Sequence, residues 1–575
     1  MSMKFTRRTA LTGGLVAGAA SCASTPKMIP YVAVSEAAVG IFAHGVASGD
    51  PQAKSVIIWT RINLPDVEPG SRALVVWETA ADADFIDMRG KGEAVTGTFR
   101  DWTVKVELTD LAPGETFYYR FRIDDHYSPV GRTKTLPAGS IDRARFAVMS
   151  CSNYPFGYFN VYDLVARRDD LDAVIHLGDY IYEYSTEGYG GEAGKALDRN
   201  HEPVHEILSL ADYRARHAQY KSDPGSQAMH AAHPIIPIWD DHETSNNSWK
   251  DGAENHDELS EGDWESRRRA ALQAYYEWMP VREPTNSPEA FFRYYSYGDL
   301  LTLTAIETRL MARAKQFEYS EVLAGLSSPE DAELFKNNIL WDETRDMLGA
   351  AQIDYLDRAL RTSVNSGQPW RLIANQIIMA KVTTPDLNPH MEEDDIEALQ
   401  AEWDQGRAFI EASALGLPTN FDAWDGYPAA RERFYDMVSN AGKDGLIVVT
   451  GDTHTWWAND LVSRNGDHIG VELGTHSVTS PSPYATEFLG GKGGDYALLT
   501  NRDNKDVRYL SGEDHGFIDL TITRDAANAE FVAVDTVTSR NYNAFTKAAF
   551  EIERKKGSAK FTDADGLGFK EGFLF

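Results

Sequence analysis

The sequence predicts an N-terminal all-β sandwich of the immunoglobulin-like or fibronectin-like type, followed by an α/β domain with a largely buried sheet. With 575 residues, the chain is too long for one ordinary domain. Between residues 41 and 136, short apolar stretches are separated by Pro, Gly and Asp turns, and no helical period appears. Farther along, apolar stretches alternate with segments of helical period, which is typical of an α/β domain. We therefore divide the chain into a signal segment with its linker (1–35), the β-sandwich (36–138) and the α/β domain (139–575).

The individual elements follow from the same patterns. In the sandwich, the predicted strands are 56–59, 73–78, 103–108 and 117–123. In the α/β domain, the predicted strands are 144–150, 173–177, 235–239, 300–306, 370–374 and 446–450. The predicted helices are 161–168, 208–220, 263–279, 331–348 and 352–363, with a C-terminal helix over 545–556. Two long polar stretches, 183–204 and 383–420, are expected to form loops beside the functional site.

Composition and charge exclude several classes of function. The chain is 42% hydrophobic and 25% charged, as in a soluble globular enzyme with a large core. Its net charge of -31 argues against wrapping nucleic acid or adhering to an anionic membrane surface. An anionic substrate would therefore need a local positive charge, such as a bound metal ion.

The N-terminus predicts an export signal. Arg7 and Arg8 precede a short, weakly apolar run, as in signals read by the bacterial Tat machinery. That run is too short to cross a bilayer, and no other transmembrane candidate appears. We expect a periplasmic or secreted monomer cleaved after Ala23, with acylation of Cys22 as the less favoured alternative. Of the 2 cysteines, only Cys151 then remains, which excludes an intrachain disulfide.

Polar side chains follow the predicted buried strands of the α/β domain. Because ligands collect at the carboxyl ends of strands in such sheets, we expect these side chains to form one site. Stability alone rarely places so many metal-binding residue types at strand ends. The residues are Cys151, Asp179, Tyr182, Asp240, Asp241, His242, Glu307, Arg309, Asn375, Asp452 and His454.

The candidate ligands divide by chemical hardness. Thiolate, phenolate and imidazole together suit a trivalent or borderline transition ion, with iron the natural choice. Carboxylate and amide oxygens suit calcium or magnesium. Asp179 stands between the two kinds and can bridge a metal pair of the type used in two-metal ester hydrolysis. The candidate ligands suited to a transition ion are Cys151, Tyr182 and His454. The candidate oxygen ligands suited to calcium or magnesium are Asp241, Asn375 and Asp452.

Two further residues have expected roles in catalysis. His242, beside a candidate ligand, can protonate a leaving group or hold a phosphate oxygen. Arg309 can clamp a phosphate, with a structural ion pair as the alternative. The sequence contains neither a Gly-x-Ser-x-Gly elbow nor a Walker loop, which argues against a serine hydrolase and a P-loop enzyme.

Several motifs resemble those of the calcineurin-like metallophosphoesterases. They are Gly178-Asp179-x-x-Tyr182, Asp241-His242-Glu243 and Gly451-Asp452-Thr453-His454, with Cys151 in place of that superfamily's first-strand Asp. These motifs differ from the usual superfamily motifs. In these differences, and in its sandwich and export signal, the chain resembles the PhoD-like alkaline phosphatases. Segments 44–51, 59–61, 347–370, 424–428 and 474–480 match that family as well.

This resemblance implies a metallophosphoesterase sandwich fold for the α/β domain and an alkaline phosphatase activity that releases inorganic phosphate from small phosphate esters. The alternative is a phosphodiesterase or phospholipase D with the same site. From another class, a binding protein with structural calcium would have no use for the Cys–Tyr pair. The resemblance implies Fe³⁺ on Cys151, Asp179, Tyr182 and His454, and Ca²⁺ on Asp179, Asp241, Asn375 and Asp452, with a second Ca²⁺ near Asp240.

Overall fold

The computed structural model describes residues 40–64, 68–285, 287–326, 328–402, 406–442, 444–486, 491–555 and 557–562. The expected export signal, its linker and Cys22 lie outside these residues, so they stay predictions. None of the described helices is long and apolar enough to cross a membrane.

The N-terminal region consists of strands, as the sequence predicts. They are β1 (Val46–Gly49), β2 (Val56–Arg61), β3 (Arg72–Ala80), β4 (Met88–Gly97), β5 (Thr103–Leu108), β6 (Thr116–Ile123), β7 (His126–Tyr127) and β8 (Gly131–Lys134). Strands β4, β3, β6 and β7 form one sheet in that order, and β8 pairs with β6. Its inner face packs on β2 and β5 through a core that includes Val56, Ile58, Phe117 and Phe121. The region is thus a two-layered β-structure, and its assignment to the immunoglobulin-like or fibronectin-like type stays a prediction.

The remaining strands build two larger sheets. They are β9 (Arg143–Met149), β10 (Ala173–His176), β11 (Pro234–Pro237), β12 (Arg293–Tyr297), β13 (Leu301–Ala305), β14 (Trp370–Ala374), β15 (Leu446–Thr450), β16 (Trp456–Val462), β17 (His468–Gly474), β18 (Val507–Ser511), β19 (His515–Thr523), β20 (Ala526–Val534), β21 (Ala544–Lys555) and β22 (Ser558–Phe561). The first sheet has the order β22-β21-β20-β19-β9-β10-β11-β1-β2-β5, and the second β12-β13-β14-β15-β17-β16-β18. Apolar side chains of both sheets share one core, which includes Phe146, Ile175, Leu303, Leu372 and Val449.

Helices and loops cover the outer faces of this two-sheet sandwich. The helices are α1 (Asn160–Ala166), α2 (Gly191–Leu197), α3 (Leu210–Ser222), α4 (Pro224–Ala232), α5 (Glu258–Glu261), α6 (Trp264–Trp278), α7 (Tyr319–Ala324), α8 (Pro329–Leu334), α9 (Gly349–Asn365), α10 (Glu393–Glu402), α11 (Gly406–Ala412), α12 (Pro428–Ala441) and α13 (Gly493–Asp503). The predicted helix over 331–348 is mostly wrong, because α8 ends at Leu334 and a π-helical turn, Phe335–Ile339, follows it.

The N-terminal region is continuous with the first large sheet. Strand β1 pairs in parallel with β11, so β1, β2 and β5 extend that sheet at one edge. Asp50 follows β1 and accepts hydrogen bonds from the Arg282 amide at 3.0 Å and the Tyr295 hydroxyl at 3.0 Å. The predicted boundary near residue 138 therefore separates segments of chain but not separate sheets.

The predicted C-terminal helix is wrong. Residues Ala544–Lys555 form β21, which pairs with β20 along its length. Ala548, Phe550 and Ile552 are buried, and the residues between them are more exposed. This period of two places one face on the core, whereas a helix would bring Ala548 and Ile552 together and turn Phe550 away from them.

Candidate metal centre

Parallel pairing brings the predicted strand ends together. In the first sheet β9, β10 and β11 run parallel, and in the second β13, β14 and β15 do. Their carboxyl ends face one edge of the sandwich, where each chain turns sharply. Four candidate ligands adopt the left-handed backbone region that non-glycine residues rarely occupy, which is a form of strain that clusters at functional sites. These are Cys151 (φ 61°), Asp179 (φ 55°), Asp452 (φ 64°) and His454 (φ 52°).

Three overlapping groups of side chains could each hold a metal ion. Within each group the candidate ligand atoms lie within 4.8 Å of one another. Asp179 belongs to two of the groups, and Asp241 also belongs to two, so the groups are linked. The groups are Cys151 with Asp179 and His454; Asp179 with Asp241 and His242; and Asp240 with Asp241 and Asp452.

The soft cluster consists of Cys151, Tyr182 and His454 around Asp179. The Tyr182 hydroxyl donates to Asp179 Oδ2 at 3.1 Å and lies 3.2 Å from His454 Nε2. Ser480 Oγ donates to the same phenol oxygen at 2.8 Å. The predicted thiol, phenol, imidazole and carboxylate thus converge at one point.

The hard cluster consists of Asp240, Asp241 and Asp452, and Arg309 lies among them. The Arg309 guanidinium is fully buried and contacts Asp240, while it reaches Asp452 at 3.1 Å and Asp241 at 3.7 Å. It also forms an ion pair with Asp422 at 2.7 Å. Because its donors point at carboxylates and it does not line the cavity described below, this geometry favours the structural ion pair over a phosphate clamp.

Burial governs the electrostatics of the soft cluster and of Asp179. Burial and the neighbouring carboxylates raise the pKa of Asp179 well above its usual value, although His242 opposes this. Burial and Asp179 likewise raise the pKa of the Cys151 thiol. Burial lowers the pKa of His454 to about 3, so its imidazole is neutral and can serve as a ligand. A cation at this point would reverse the first two shifts, because it stabilises carboxylate and thiolate.

The hard cluster is partly neutralised. Burial raises the pKa of Asp240 to about 7, although Arg309 opposes the shift. Burial would also raise the pKa of Asp241, but Arg309 and His242 hold it below its usual value. Burial raises the pKa of Asp452 well above its usual value, and Asp240 adds to this. The hard cluster thus combines one ionised carboxylate, Asp241, with two carboxyl groups that favour protonation, Asp240 and Asp452.

Glutamates beneath the cluster fix its backbone. Glu243 accepts hydrogen bonds from the amides of Asp179 at 3.1 Å, Tyr180 at 2.6 Å and Asp240 at 2.8 Å. One buried carboxylate therefore holds the loops after both β10 and β11. Glu307 accepts in the same way from the amides of Arg309 at 2.8 Å and of the two residues that follow.

His242 is held by a second buried glutamate. Its Nδ1 donates to Glu183 Oε2 at 2.8 Å, and Glu183 also accepts from the Asn246 amide at 2.7 Å. The ring stacks on Tyr182 with centroids 4.2 Å apart. Burial would lower the pKa of His242, but Asp241, Glu183 and Asp179 raise it well above its usual value. This imidazolium therefore has a fixed orientation beside the cluster.

Asn375 is buried at the end of β14, as predicted, but its amide has partners outside the cluster. Its Nδ2 donates to the Ile377 carbonyl, and its Oδ1 accepts from Trp424 Nε1 at 3.2 Å. Its role as a metal ligand stays a prediction. His476 and His515 pack against each other, with ring centroids 5.0 Å apart, and neither lines the cavity.

A cavity of about 540 Å³ opens directly above both clusters. Its floor contains Asp179, Asp241, His242, Asp452 and His454. Both predicted loop segments contribute to its sides: Tyr184 and Tyr189 come from residues 183–204, and Phe409, Thr419 and Asn420 from residues 383–420. The cavity has the size of a small-molecule site, which gives the clusters room for a substrate.

Sequence reasoning missed the roles of the buried glutamates and of the aromatic side chains around the cavity. Glu183, Glu243 and Glu307 each lie within or beside a quoted motif, and that position was the available signal. The aromatic residues are scattered from Tyr184 to Tyr496 and have no local pattern in common. Only the tertiary structure brings them together.

Together the fold and the site define a two-sheet α/β protein with a candidate metal centre at the carboxyl ends of its parallel strands. The family model described as PhoD-like phosphatase matches residues 146–531, and the one described as PhoD-like phosphatase, N-terminal domain matches residues 29–137. Alkaline phosphatase D of Bacillus subtilis (strain 168) is 33% identical over 532 residues, which cover 89% of this chain and 81% of that protein. The solved structure described as "Structure of PhoD" is 30% identical with a TM-score of 0.72, covering 92% of this chain and 93% of that one. The chain therefore belongs to the PhoD-like phosphatase family and is a phosphoric ester hydrolase, which confirms the predicted resemblance.

Proposed function

We propose that this protein is an exported, metal-dependent alkaline phosphatase that hydrolyses phosphate esters and releases inorganic phosphate. The observation that carries the proposal is the position of Asp179, which is shared by two groups of candidate ligands beneath the cavity. Its buried Oδ1 has no hydrogen-bond partner within the described part of the chain, and neither has Asp240 Oδ2. Orphaned carboxylate oxygens in such a place are costly unless a cation pairs with them.

The donor set fits the two metals that the resemblance implies. Thiolate, phenolate, imidazole and one carboxylate suit Fe³⁺, and the ligands are Cys151, Tyr182, His454 and Asp179. Carboxylate and amide oxygens suit Ca²⁺, and we assign it to Asp179, Asp241 and Asp452, with Asp240 next to a second Ca²⁺. We assign Asn375 as the amide ligand because the resemblance implies it. Bound there, such ions supply Lewis-acid stabilisation of a phosphoryl group without help from the negatively charged surface.

The chain's own contribution to the reaction is a positioned acid. In our proposal a water oxygen bonds to phosphorus as the ester P–O bond breaks, and His242 gives its proton to the leaving ester oxygen and becomes a neutral imidazole. Glu183 accepts from Nδ1 throughout, which fixes the ring and stabilises its charged form. Glu243 fixes the position of the loop that carries Asp179 relative to the loop that carries Asp240, because it accepts hydrogen bonds from three backbone amides of the two loops.

A phosphodiesterase or phospholipase D activity of the same site is the second candidate. The cavity of about 540 Å³ favours it, since there is room for two ester substituents. The floor residues would be the same in either case, so only the substrate preference separates the two activities.

Export through the Tat machinery completes the proposal. It is supported by Arg7 and Arg8 before the short apolar run, and it implies a protein that folds before export to the periplasm or the medium. We propose separately that the protein is a monomer. Acylation at Cys22 is the less favoured alternative.

The test compares initial rates on p-nitrophenyl phosphate and bis(p-nitrophenyl) phosphate at alkaline pH, in protein whose iron and calcium contents are measured. We expect a monoester preference that a calcium chelator abolishes and added calcium restores. Asp179→Asn should be inactive and should lose metal, whereas the matched change Asp525→Asn, in the exposed turn between β19 and β20, should leave both unchanged. A diester preference would assign the second activity, and inactivity on both esters with iron and calcium bound would overturn the proposal.

A further inference from the structure

Five of the aromatic side chains that line the cavity pack against one another. We call this surface the aromatic wall, and it consists of Tyr319, Phe409, Trp457, Tyr484 and Tyr496. Its members come from α7, α11, β16, α13 and the segment after β17. Aliphatic Ile378 and Val382 also line the cavity.

The rings of the aromatic wall form one continuous series. Tyr484 stacks on Tyr496 with centroids 4.9 Å apart and planes at 8°, and Trp457 meets Tyr484 edge-on at 5.6 Å. Phe409 then contacts Tyr496 at 6.3 Å and Tyr319 at 5.7 Å. Such mutual packing fixes the rings, so the wall is a preformed apolar surface that a ligand need not order.

The aromatic wall is also joined to the candidate metal centre. Trp457 Nε1 donates to Thr453 Oγ1 at 2.9 Å, and Thr453 stands between Asp452 and His454 in the chain. The wall therefore has a fixed place relative to the floor, as a binding surface for the organic part of a bound ester requires.

The charges around the cavity point the same way. Within the described part of the chain, no Lys or Arg lines it. Arg431, the nearest partner of cavity-lining Asp425, is itself bonded to that carboxylate at 2.6 Å. A substrate with a second phosphate or a carboxylate would thus find no free Lys or Arg side chain among the described residues at the sides of the cavity to pair with it.

We infer that the cavity takes phosphate esters whose organic group is uncharged and apolar, an alkyl chain or an aryl ring that packs on the aromatic wall while the phosphate lies on the floor. This inference rests on the proposed function and names the substrate class of that site. It separates such esters from small polar alcohol phosphates and from polyanionic phosphates.

The test uses ethyl phosphate and hexyl phosphate with the metal-loaded enzyme, because their leaving groups are chemically alike. If each added methylene is buried, kcat/KM rises by about threefold to fourfold per methylene, which is about 80-fold to 250-fold for the four extra methylenes of hexyl phosphate. Hexyl phosphonate, which has no hydrolysable ester bond, should likewise inhibit far more strongly than ethyl phosphonate. A ratio below about threefold for both comparisons would overturn the inference.

Variants of the wall locate the effect. Phe409→Ala should lower the hexyl-to-ethyl ratio by about tenfold, whereas Phe409→Leu, which keeps apolar bulk, should retain most of it. Phe99→Ala removes an exposed ring of the N-terminal region and is the matched control that should not change the ratio. If Phe409→Ala fails to fold, Phe409→Leu is compared with Phe409→Asn. Equal hexyl-to-ethyl ratios of kcat/KM in these two variants would overturn the assignment of the alkyl chain to the aromatic wall.

The two proposals fail differently. If the metal-loaded protein hydrolyses neither alkyl phosphate nor the p-nitrophenyl esters, the proposed function is wrong and the inference falls with it. If it hydrolyses all of them without regard to chain length, the phosphatase activity stands and only the inference is wrong.

Discussion

The soft and hard clusters share Asp179 but balance their charge in different ways. In the described part of the chain, no Lys or Arg contacts the Cys151 thiol, the Tyr182 phenol oxygen or the His454 ring. Their nearest polar partners include neutral hydroxyls: the Cys151 thiol donates to Ser150 Oγ, and Ser480 Oγ donates to the Tyr182 phenol oxygen. In the hard cluster, Arg309 contacts all three carboxylates. The soft cluster therefore depends on a bound cation to ionise, whereas the hard cluster keeps the charge compensation that Arg309 supplies even without a bound ion. We expect metal removal to disturb the soft cluster more.

Asp179→Asn would disrupt the soft and the hard cluster at the same time. The amide keeps the volume but loses the negative charge that both groups of ligands share. We expect kcat/KM to fall by roughly a thousandfold or more, since preorganised metal charge is the main stabilisation at such a site. Elemental analysis should show that iron and calcium contents fall together. A variant that keeps both metals and one tenth of the activity would contradict the shared position of Asp179.

Cys151→Ser would break the soft cluster alone. The hydroxyl is a poor ligand compared with a thiolate, so we expect the iron content to fall at least tenfold and kcat by about 100-fold. The stabilisation that added calcium gives, measured as a shift in Tm, should persist because Asp240 and Asp241 are unchanged. Ser150→Ala, beside Cys151 but outside the ligand groups, is the control for local disturbance. Loss of the calcium response together with iron would mean that the clusters are not separable.

Arg309→Met would remove the positive charge that balances the carboxylates of the hard cluster. It leaves Asp240 buried without its ion-pair partner, while Asp422 keeps only its ion pair with Arg313. The loss should lower the free energy of unfolding by about 3–5 kcal/mol in calcium-free buffer. Added calcium should recover much of this loss, because the ion replaces the guanidinium charge. Denaturant unfolding with and without calcium measures both effects.

Arg361→Met is the matched control for that experiment. Arg361 pairs with Asp357 on the exposed side of α9, and such surface pairs contribute little. We expect a change of at most about 0.5 kcal/mol and no calcium dependence. If calcium gave the two variants equal protection, Arg309 would not be the substitute cation.

Much of the fold could be predicted from the sequence because local and tertiary signals agree. Continuous apolar runs such as 446–450 and 370–374 coincide with β15 and β14, which are buried on both faces. The segment 545–556 is predicted as a helix, but Ala544–Lys555 forms strand β21. Pairing with β20 determines the conformation of this segment, because the hydrogen bonds and packing of the sheet outweigh local secondary-structure propensity.

The site could be predicted in its ligands but not in its surroundings. Strand ends such as Cys151 and Asp452 converge because parallel strands must end at one edge, which is a rule of topology. The contacts of Arg309 with four carboxylates, and the convergence of five distant rings on one wall, follow from packing that no local pattern encodes. The residues of the candidate metal centre could therefore be predicted to lie together, whereas the residues around the cavity could not.

Glu183→Gln gives a smaller expected loss of turnover on p-nitrophenyl phosphate than the ligand variants, and it tests whether His242 acts on the leaving group. The change removes the charge that His242 Nδ1 donates to, while the side-chain shape stays the same. We expect kcat to fall about tenfold to 100-fold and KM to change little, since the ring is less well oriented and its charged form less stabilised.

The leaving group makes this prediction specific. p-Nitrophenolate leaves with little help from a proton, whereas an alkoxide needs one, so the loss should be near 100-fold with ethyl phosphate and nearer tenfold with p-nitrophenyl phosphate. Glu187→Gln, an exposed glutamate in the same loop, should change neither rate. Equal losses on both esters would mean that His242 serves the phosphate and not the leaving oxygen, because a group that only holds phosphate acts alike whichever alcohol departs.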